Sequence, residues 1–380
     1  MVIKMVYLDY SATTPTSDEV LDTFVKVSKR FVGNPNSLHK LGVESRELID
    51  ASTKQIAEIL KVDPKEIIYT SGASESNNMA IKGICLQYQN RGKHIITTNF
   101  EHSSVYGPIS YLQSIGFEVD FVKTDEFGIV DLDDLKKLLR DDTILVSITA
   151  VNSEIGIIEP IEEIGKILKE YPKCFFHCDV TQIIGKKEIN LENIDLASFS
   201  AHKIFGIKGI GCLIKKEKIS ITPLIHGGKS TTIYRSGTPQ VALIASLAKT
   251  LRLANEDLEA NYLYVSKLNS KIKNELSKYQ NVHINSNDKC LPYILNLSIP
   301  GIKPETMLHA LEEKDIYIST QTACASNDSY SKAVYSLTND KDLASSSIRI
   351  SISYITTLEE IDIFIKEFID CVNKLTLRGE

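Results

Sequence analysis

The sequence predicts an α/β protein in which a mostly parallel, doubly wound sheet is joined to a smaller α+β unit. Three observations carry this. Between about residues 65 and 215, short apolar runs alternate with helix-period segments. The runs are rich in β-branched residues and nearly continuous in apolarity, as strands covered on both faces must be. After Gln240 that alternation gives way to long helical stretches with isolated strands between them.

Taken in order, strands are expected at Glu66–Thr70, His94–Thr98, Glu118–Val122, Thr143–Ala150, Cys174–Asp179, Asp195–Ser200 and Gly209–Ile214. Amphipathic stretches such as Leu132–Arg140 and Ile161–Tyr171 fill the gaps as crossover helices. Beyond Gln240 one helical pattern runs towards Tyr279. Strand-like Tyr293–Ile299, helical Pro304–Lys314, strand-like Ser347–Ser353 and a final helix from Leu358 follow. A chain of 380 residues is long enough for two domains. The boundary is expected inside the long helical stretch, giving a large unit over 14–257 and a smaller one from 1–13 and 258–380.

Composition narrows the function classes. The chain is 43% hydrophobic and 24% charged, an ordinary globular profile, with no repeat, low-complexity tract or flexible linker. No run approaches the roughly 20 apolar residues of a membrane span. The opening Met1-Val2-Ile3-Lys4-Met5-Val6-Tyr7 does not read as a signal peptide. A net charge of −6 argues against direct nucleic-acid binding. Seven cysteines without a CxxC pair suit neither a disulfide framework nor structural zinc. A reducing, cytoplasmic setting is expected.

Ligands of open α/β sheets gather at the carboxyl ends of the strands, and several polar clusters sit at such ends. Thr70-Ser71-Gly72-Ala73-Ser74-Glu75-Ser76-Asn77 joins a strand to a helix. It reads equally as a plain Ser cap or as a cradle in which free amides and hydroxyls hold a phosphate. Asp179 ends an apolar strand, where an acid either caps the next turn or serves a ligand. Lys203 follows a strand between His202 and a Gly-rich turn; it is either a solvated charge or an amine for a Schiff base. His102, just past another strand, is either structural or placed against a cofactor. Arg349 stands inside an apolar strand and needs an anionic partner, whether an internal carboxylate or a bound one. Cys85, Cys178, Cys212 and Cys371 fit apolar patterns as buried residues. Cys324 does not: small polar residues surround it, which is the setting of a reactive thiol.

Together, a phosphate cradle, a strand-end acid, a strand-end His-Lys pair and a carboxylate-binding Arg describe a pyridoxal phosphate site. The phosphate needs amides and hydroxyls, the pyridinium nitrogen an acid, the aldehyde a lysine, and an amino-acid substrate an arginine.

The order of the motifs resembles the cysteine desulfurases of the NifS/IscS type, in the class V aminotransferase group of fold-type I pyridoxal phosphate enzymes. The likeness runs from Tyr7-Leu8-Asp9-Tyr10-Ser11-Ala12-Thr13-Thr14-Pro15 to Thr356-Thr357-Leu358-Glu359-Glu360-Ile361-Asp362. Between them stand Gly33-Asn34-Pro35-Asn36-Ser37, the Ser-Gly-Ala-Ser-Glu-Ser cradle and Glu101-His102. Asp179-Val180-Thr181-Gln182, Ser200-Ala201-His202-Lys203 and Arg235-Ser236-Gly237-Thr238 complete the series.

Carried over position by position, the resemblance implies that Lys203 is the Schiff-base lysine and Asp179 the pyridinium partner. Gln182 would donate to the phenolic oxygen, and His102 would stack on the ring. Ala73, Ser74, Ser200 and His202 fall where the family binds phosphate. Thr238 matches a threonine that reaches the neighbouring subunit's phosphate, implying a homodimer with shared active sites. Arg349 would hold the substrate carboxylate with Asn34 nearby, and Cys324 would be the nucleophile that becomes a persulfide.

Two segments depart from the family pattern. Asn152-Ser153-Glu154 stands where Asn-Asn-Glu is usual, so Ser153 takes the place of a cofactor-binding Asn. After Cys324 the usual Leu-Glu-Pro-Ser is replaced by Asn327-Asp328-Ser329-Tyr330-Ser331-Lys332. The Ser-Thr-Gln-Thr-Ala-Cys wording looks more like a paralogue serving tRNA thiolation than the general iron–sulfur enzyme.

The activity so implied is conversion of L-cysteine to L-alanine, with sulfur passed through Cys324 to an acceptor protein. Lys203 would move the Cα proton, and His102 would exchange protons with sulfur. The rivals are a selenocysteine lyase or an aminotransferase on the same fold, and a non-enzymatic scaffold for sulfur transfer.

Overall fold

The computed structural model describes residues 5–320 and 330–376. Seven strands build the main sheet: β2 (Ile67–Thr70), β3 (His94–Thr97), β4 (Glu118–Phe121), β5 (Thr143–Ser147), β6 (Phe175–Asp179), β7 (Leu196–Ser200) and β8 (Gly211–Lys215). Their spatial order is β2-β8-β7-β6-β5-β3-β4, and only β8 runs against both of its neighbours. All seven expected strands are present, each within a few residues of its predicted limits. The longest overshoot is at β5, which ends at Ser147 rather than Ala150.

The sheet is doubly covered because its side chains alternate. Ile68, Ile95, Leu145 and Leu213 face the helices at Ala73–Tyr88 and Ser103–Ser114, in one apolar cluster. Their neighbours Ile67, Ile96, Val146 and Ile214 join the larger core on the other face. Helices Asp18–Arg30 and Lys40–Leu60 both pack on Val241–Glu256. Ser17 caps the first of these, with Asp18 and Glu19 in its opening turn and Lys29 and Arg30 in its last, as the helix dipole favours. Strand β4 departs from the buried pattern. Its ends are exposed, as befits an edge strand carrying Glu118 and Asp120.

A three-stranded antiparallel sheet joins β9 (His283–Ile284), β10 (Ile294–Ser298) and β12 (Ser347–Ser351). The N-terminal β1 (Val6–Tyr7) pairs in parallel with β11 (Ile316–Tyr317), and Asp9 bridges to Ser351. The stretch expected as one long helix is two, Val241–Glu256 and Leu258–Leu276, meeting at Asp257 with φ −126° and ψ 34°. No Gly or Pro marks that break. Among the described residues no helix is long and apolar enough to cross a membrane.

Residues 9–17 then leave the small sheet and cross onto the main one. The amide of Thr14 donates to the carbonyl of His202 at 2.9 Å, and that of Ser17 to Phe205 at 3.0 Å. Phe205 adopts φ 63°, an uncommon conformation for a bulky residue, directly beyond the strand-end lysine. This crossing places the N-terminal segment against the carboxyl ends of β6 and β7.

Candidate active site

A cavity of about 270 Å³ opens at those carboxyl ends. Ten of the sequence-predicted site residues line it: Ala73, Ser74, His102, Ser153, Asp179, Gln182, Ser200, His202, Lys203 and Arg349. Nine arrive from five strand ends and Arg349 from the middle of β12, which is why linear spacing alone shows no pattern.

One wall is the start of the helix Ala73–Tyr88. Gly72 takes its N-cap position, with no side chain closing it. The Ala73 amide donates to the Ser200 hydroxyl at 2.6 Å, tying this turn to the end of β7. Strand β8 presses close behind. A Cβ on Gly211 would lie 2.6 Å from the Gly72 Cα. The result is a concave turn with helix amides and the Ser200 hydroxyl at its rim, the chemistry an anionic group requires.

Asp179 ends β6 and is buried. The amide of Thr181 donates to its Oδ1 at 3.0 Å and Asn77 Nδ2 to its Oδ2 at 2.7 Å. Asn77 also donates to the Ser104 hydroxyl at 2.9 Å. That hydroxyl lies 2.8 Å from His102 Nδ1, which also accepts the Ser104 amide at 3.1 Å. Nδ1 is therefore the acceptor nitrogen, and the neutral ring carries its proton on Nε2. Burial, more than any neighbour, holds the His102 pKa below its ordinary value. His202 is pushed further down, to about 4, by burial and then by the Lys203 charge.

Lys203 closes the 3₁₀ turn that follows β7, and its Nζ donates to the carbonyls of Ser11 and Ala12. Arg349, 2% exposed on β12, donates from Nη1 to the Ser153 carbonyl at 3.0 Å and from Nη2 to Asp9 at 2.9 Å. Its Nε is buried without a hydrogen-bond partner among the described residues. The internal ion pair and a place on the cavity wall are both realised.

Three predicted residues stand apart. Thr238 and Asn34 are exposed and do not line the cavity. Cys324 lies outside the described residues. The six described cysteines are unpaired and buried, and burial raises the pKa of every one of their thiols. Asn152 does not face the cavity either. Its side chain accepts from the amides of Glu154 and Ile155 and donates to the Phe100 carbonyl, which shapes the loop that carries Ser153.

A family model described as aminotransferase class-V matches residues 6–364. The chain belongs to the class-V aminotransferase family. A NifS/IcsS protein homolog of Lactobacillus delbrueckii subsp. bulgaricus is 44% identical over 377 residues, which is 96% of each chain. The cysteine desulfurase IscS of Dictyoglomus turgidum is 40% identical over 364 residues, covering 94% of this chain and 92% of the relative. Among solved structures, a NifS-like protein superposes with a TM-score of 0.92 at 36% identity, covering 98% of this chain and all of that one. A NifS-like protein from Rickettsia africae gives 0.88 at 32% identity, over 97% of this chain.

In this class-V member, sequence reading passed over Asp9, Asn77 and Ser104 as site residues. Signals for two of them were present. Asn77 lies one helical turn after Ala73 and so shares its face. Ser104 follows the strand-end His102 by two residues, the spacing at which a helix cap is answered. Asp9 had no local signal, because its partner is contributed by the far end of the chain.

Proposed function

We propose that this chain is a pyridoxal 5′-phosphate-dependent cysteine desulfurase. The observation that carries the reading is the convergence of Lys203, Asp179, Arg349 and the Ala73–Ser200 cradle on one cavity. The residues suit the cofactor. Ala73, Ser74, Ser200 and His202 would hold the phosphate, in a turn kept open by the close approach of Gly211. Asp179 would keep the ring nitrogen protonated, and the face of His102 would support the ring. Ser153 lines the cavity where the family pattern has an amide, and its backbone carbonyl steadies Arg349.

When bound, the cofactor supplies an electron sink for the pair released at the substrate Cα. Arg349 binds the substrate carboxylate as a fork. Lys203 gives the amine that the aldehyde requires and carries the Cα proton. The Cys324 thiolate attacks the sulfur of L-cysteine: the Cβ–S bond breaks, an S–S bond forms, and Cβ gains a proton to give L-alanine. His102, neutral with Nε2–H, exchanges protons with the sulfur groups.

The site extends to a second subunit in this reading, with Thr238 reaching the partner's phosphate and Asn34 lying by the substrate. Exposed apolar side chains near both, Leu38 at 97% and Ile233 at 63%, support a homodimer. The persulfide passes to an acceptor protein, either an iron–sulfur scaffold or a tRNA-thiolation enzyme. Six unpaired described cysteines accord with a reducing, cytoplasmic compartment. The test is incubation of the yellow holoprotein with L-cysteine. Equimolar alanine and transferable sulfur support the reading; keto acid without sulfur release would mark an aminotransferase, and a colourless, inert protein a scaffold.

A further inference from the structure

Lys186 is a buried lysine, 6% exposed, for which the activity above has no use. Its Nζ donates to Oε1 of Gln182 at 2.9 Å. At the other end of the same amide, Gln182 Nε2 donates to the Ser11 carbonyl at 3.1 Å. That carbonyl also accepts from Lys203 Nζ. The donor end of Gln182 and the amine of Lys203 therefore meet on one oxygen, and both residues line the cavity.

An amide side chain is nearly symmetric in shape but not in chemistry, and a lysine amine can only donate to it when charged. Lys186 thus selects the oxygen end of Gln182 and leaves the nitrogen end facing Lys203. Gly185 precedes Lys186 in a tightly packed turn. It turns the chain at φ 67°, and a Cβ there would come within 2.9 Å of the Ala254 Cβ. Lys203 and Arg349 act on Lys186 by their charge, Glu19 and Asp257 line the neighbouring cavity with it, and the Tyr293 ring lies 5.9 Å from its Nζ. Burial first, then those two cations, bring its pKa down to about 7. A neutral amine still has N–H groups for the same hydrogen bond.

We propose that Lys186 is a positioning residue that locks the Gln182 amide with its donor end towards Lys203, so that a cofactor held there meets a hydrogen-bond donor beside the lysine nitrogen. The inference rests on the pyridoxal phosphate reading and assigns Lys186 a part in it.

The test is a pH titration of the visible cofactor absorbance of the holoprotein. A donor fixed beside the Lys203 nitrogen, on the cofactor's anionic oxygen, lowers the proton affinity of that pair. Gln182→Ala and Lys186→Met should each raise the midpoint by about one pH unit, the worth of one such hydrogen bond. The double variant should shift no further than Gln182→Ala alone. Methionine matches the lysine stem, and replacing a buried amine by an apolar chain is compatible with folding; Lys186→Leu provides a second version, with thermal melting as the check. An unmoved midpoint in Lys186→Met and Lys186→Leu overturns the proposal. Additive shifts in the double variant overturn it too, because Lys186 would then act by its own charge. Wild-type protein with no visible band after exposure to the cofactor is a separate outcome, which removes the cofactor reading and this inference with it.

Discussion

Nη2 of Arg349 lies 2.9 Å from Oδ1 of Asp9, an ion pair between residues 340 positions apart that anchors Arg349 on the cavity wall. Arg349 would therefore meet a substrate with one N–H of each terminal nitrogen already engaged, Nη2 by Asp9 and Nη1 by the Ser153 carbonyl. Arg349→Lys should raise the KM for cysteine by about ten- to a hundredfold, the loss of one charge-assisted bidentate contact. Asp9→Asn keeps an acceptor but removes the counter-charge, so KM should rise with a smaller loss of kcat. Steady-state kinetics on both variants decides this. An unchanged KM with only a lower melting temperature would reduce Arg349 to a structural ion pair.

Gly211→Ala should weaken cofactor binding through the backbone alone. The new Cβ would stand 2.6 Å from both the Gly72 Cα and the Phe199 carbonyl oxygen. Relieving that clash pushes β8 away from the cradle at a cost of about 1–3 kcal/mol. Calorimetric titration with pyridoxal phosphate should show a raised Kd. Gly107→Ala, where the added methyl has open space, is the control and should bind as the wild type does.

A pH dependence of stability follows from Glu159, whose buried carboxyl is pushed up to about 8. The unfolded chain releases this proton near pH ~4.3, so between there and about 8 the native state holds a proton the unfolded state has lost. The group's contribution is full below the lower value and falls as pH rises, by about 1.4 kcal/mol per unit. Glu159→Gln removes this slope. Its melting temperature relative to wild type should climb between about pH 5 and 8; a constant difference would contradict the assignment.

Legibility in the sequence followed the range of the interactions. The seven main strands were readable because burial on both faces favours nearly continuous apolar runs, and β4, with no buried residue, is the exception at the sheet edge. The two-residue strands β1, β9 and β11 are too short to show any period. The break at Asp257 was hidden because neither Gly nor Pro announces it. In the site, Lys203 and Asp179 stood out through their places at strand ends. Lys186 did not, since Gly185-Lys186-Lys187 reads as an ordinary solvated charge pair and its 6% exposure is a tertiary fact. Asn34 and Thr238 rest on the family resemblance alone, and this single chain does not bring them to the cavity.

Lys203→Ala should abolish both the visible cofactor band and turnover. The buried amine of Lys186 is hydrogen-bonded to Gln182 and does not line this cavity, so it offers no substitute. Absorbance spectra and alanine release, measured together, check this. Turnover persisting in Lys203→Ala would remove the lysine from the chemistry.

In the proposed reaction, sulfur leaves the substrate by attack of the Cys324 thiolate. Cys85, Cys174, Cys178, Cys212, Cys290 and Cys371 are buried, with thiol pKa values raised by burial, so none of them is poised as a thiolate at neutral pH. Cys324→Ser should bind cofactor and cysteine yet release no alanine unless an external thiol is added, because a hydroxyl is too weak a nucleophile towards sulfur. Mass spectrometry of the wild-type protein after brief exposure to L-cysteine locates the transferred sulfur. A mass increase of one sulfur atom on the peptide carrying Cys324 is the predicted result, and the same increase on Cys174, Cys178 or Cys290 would contradict it.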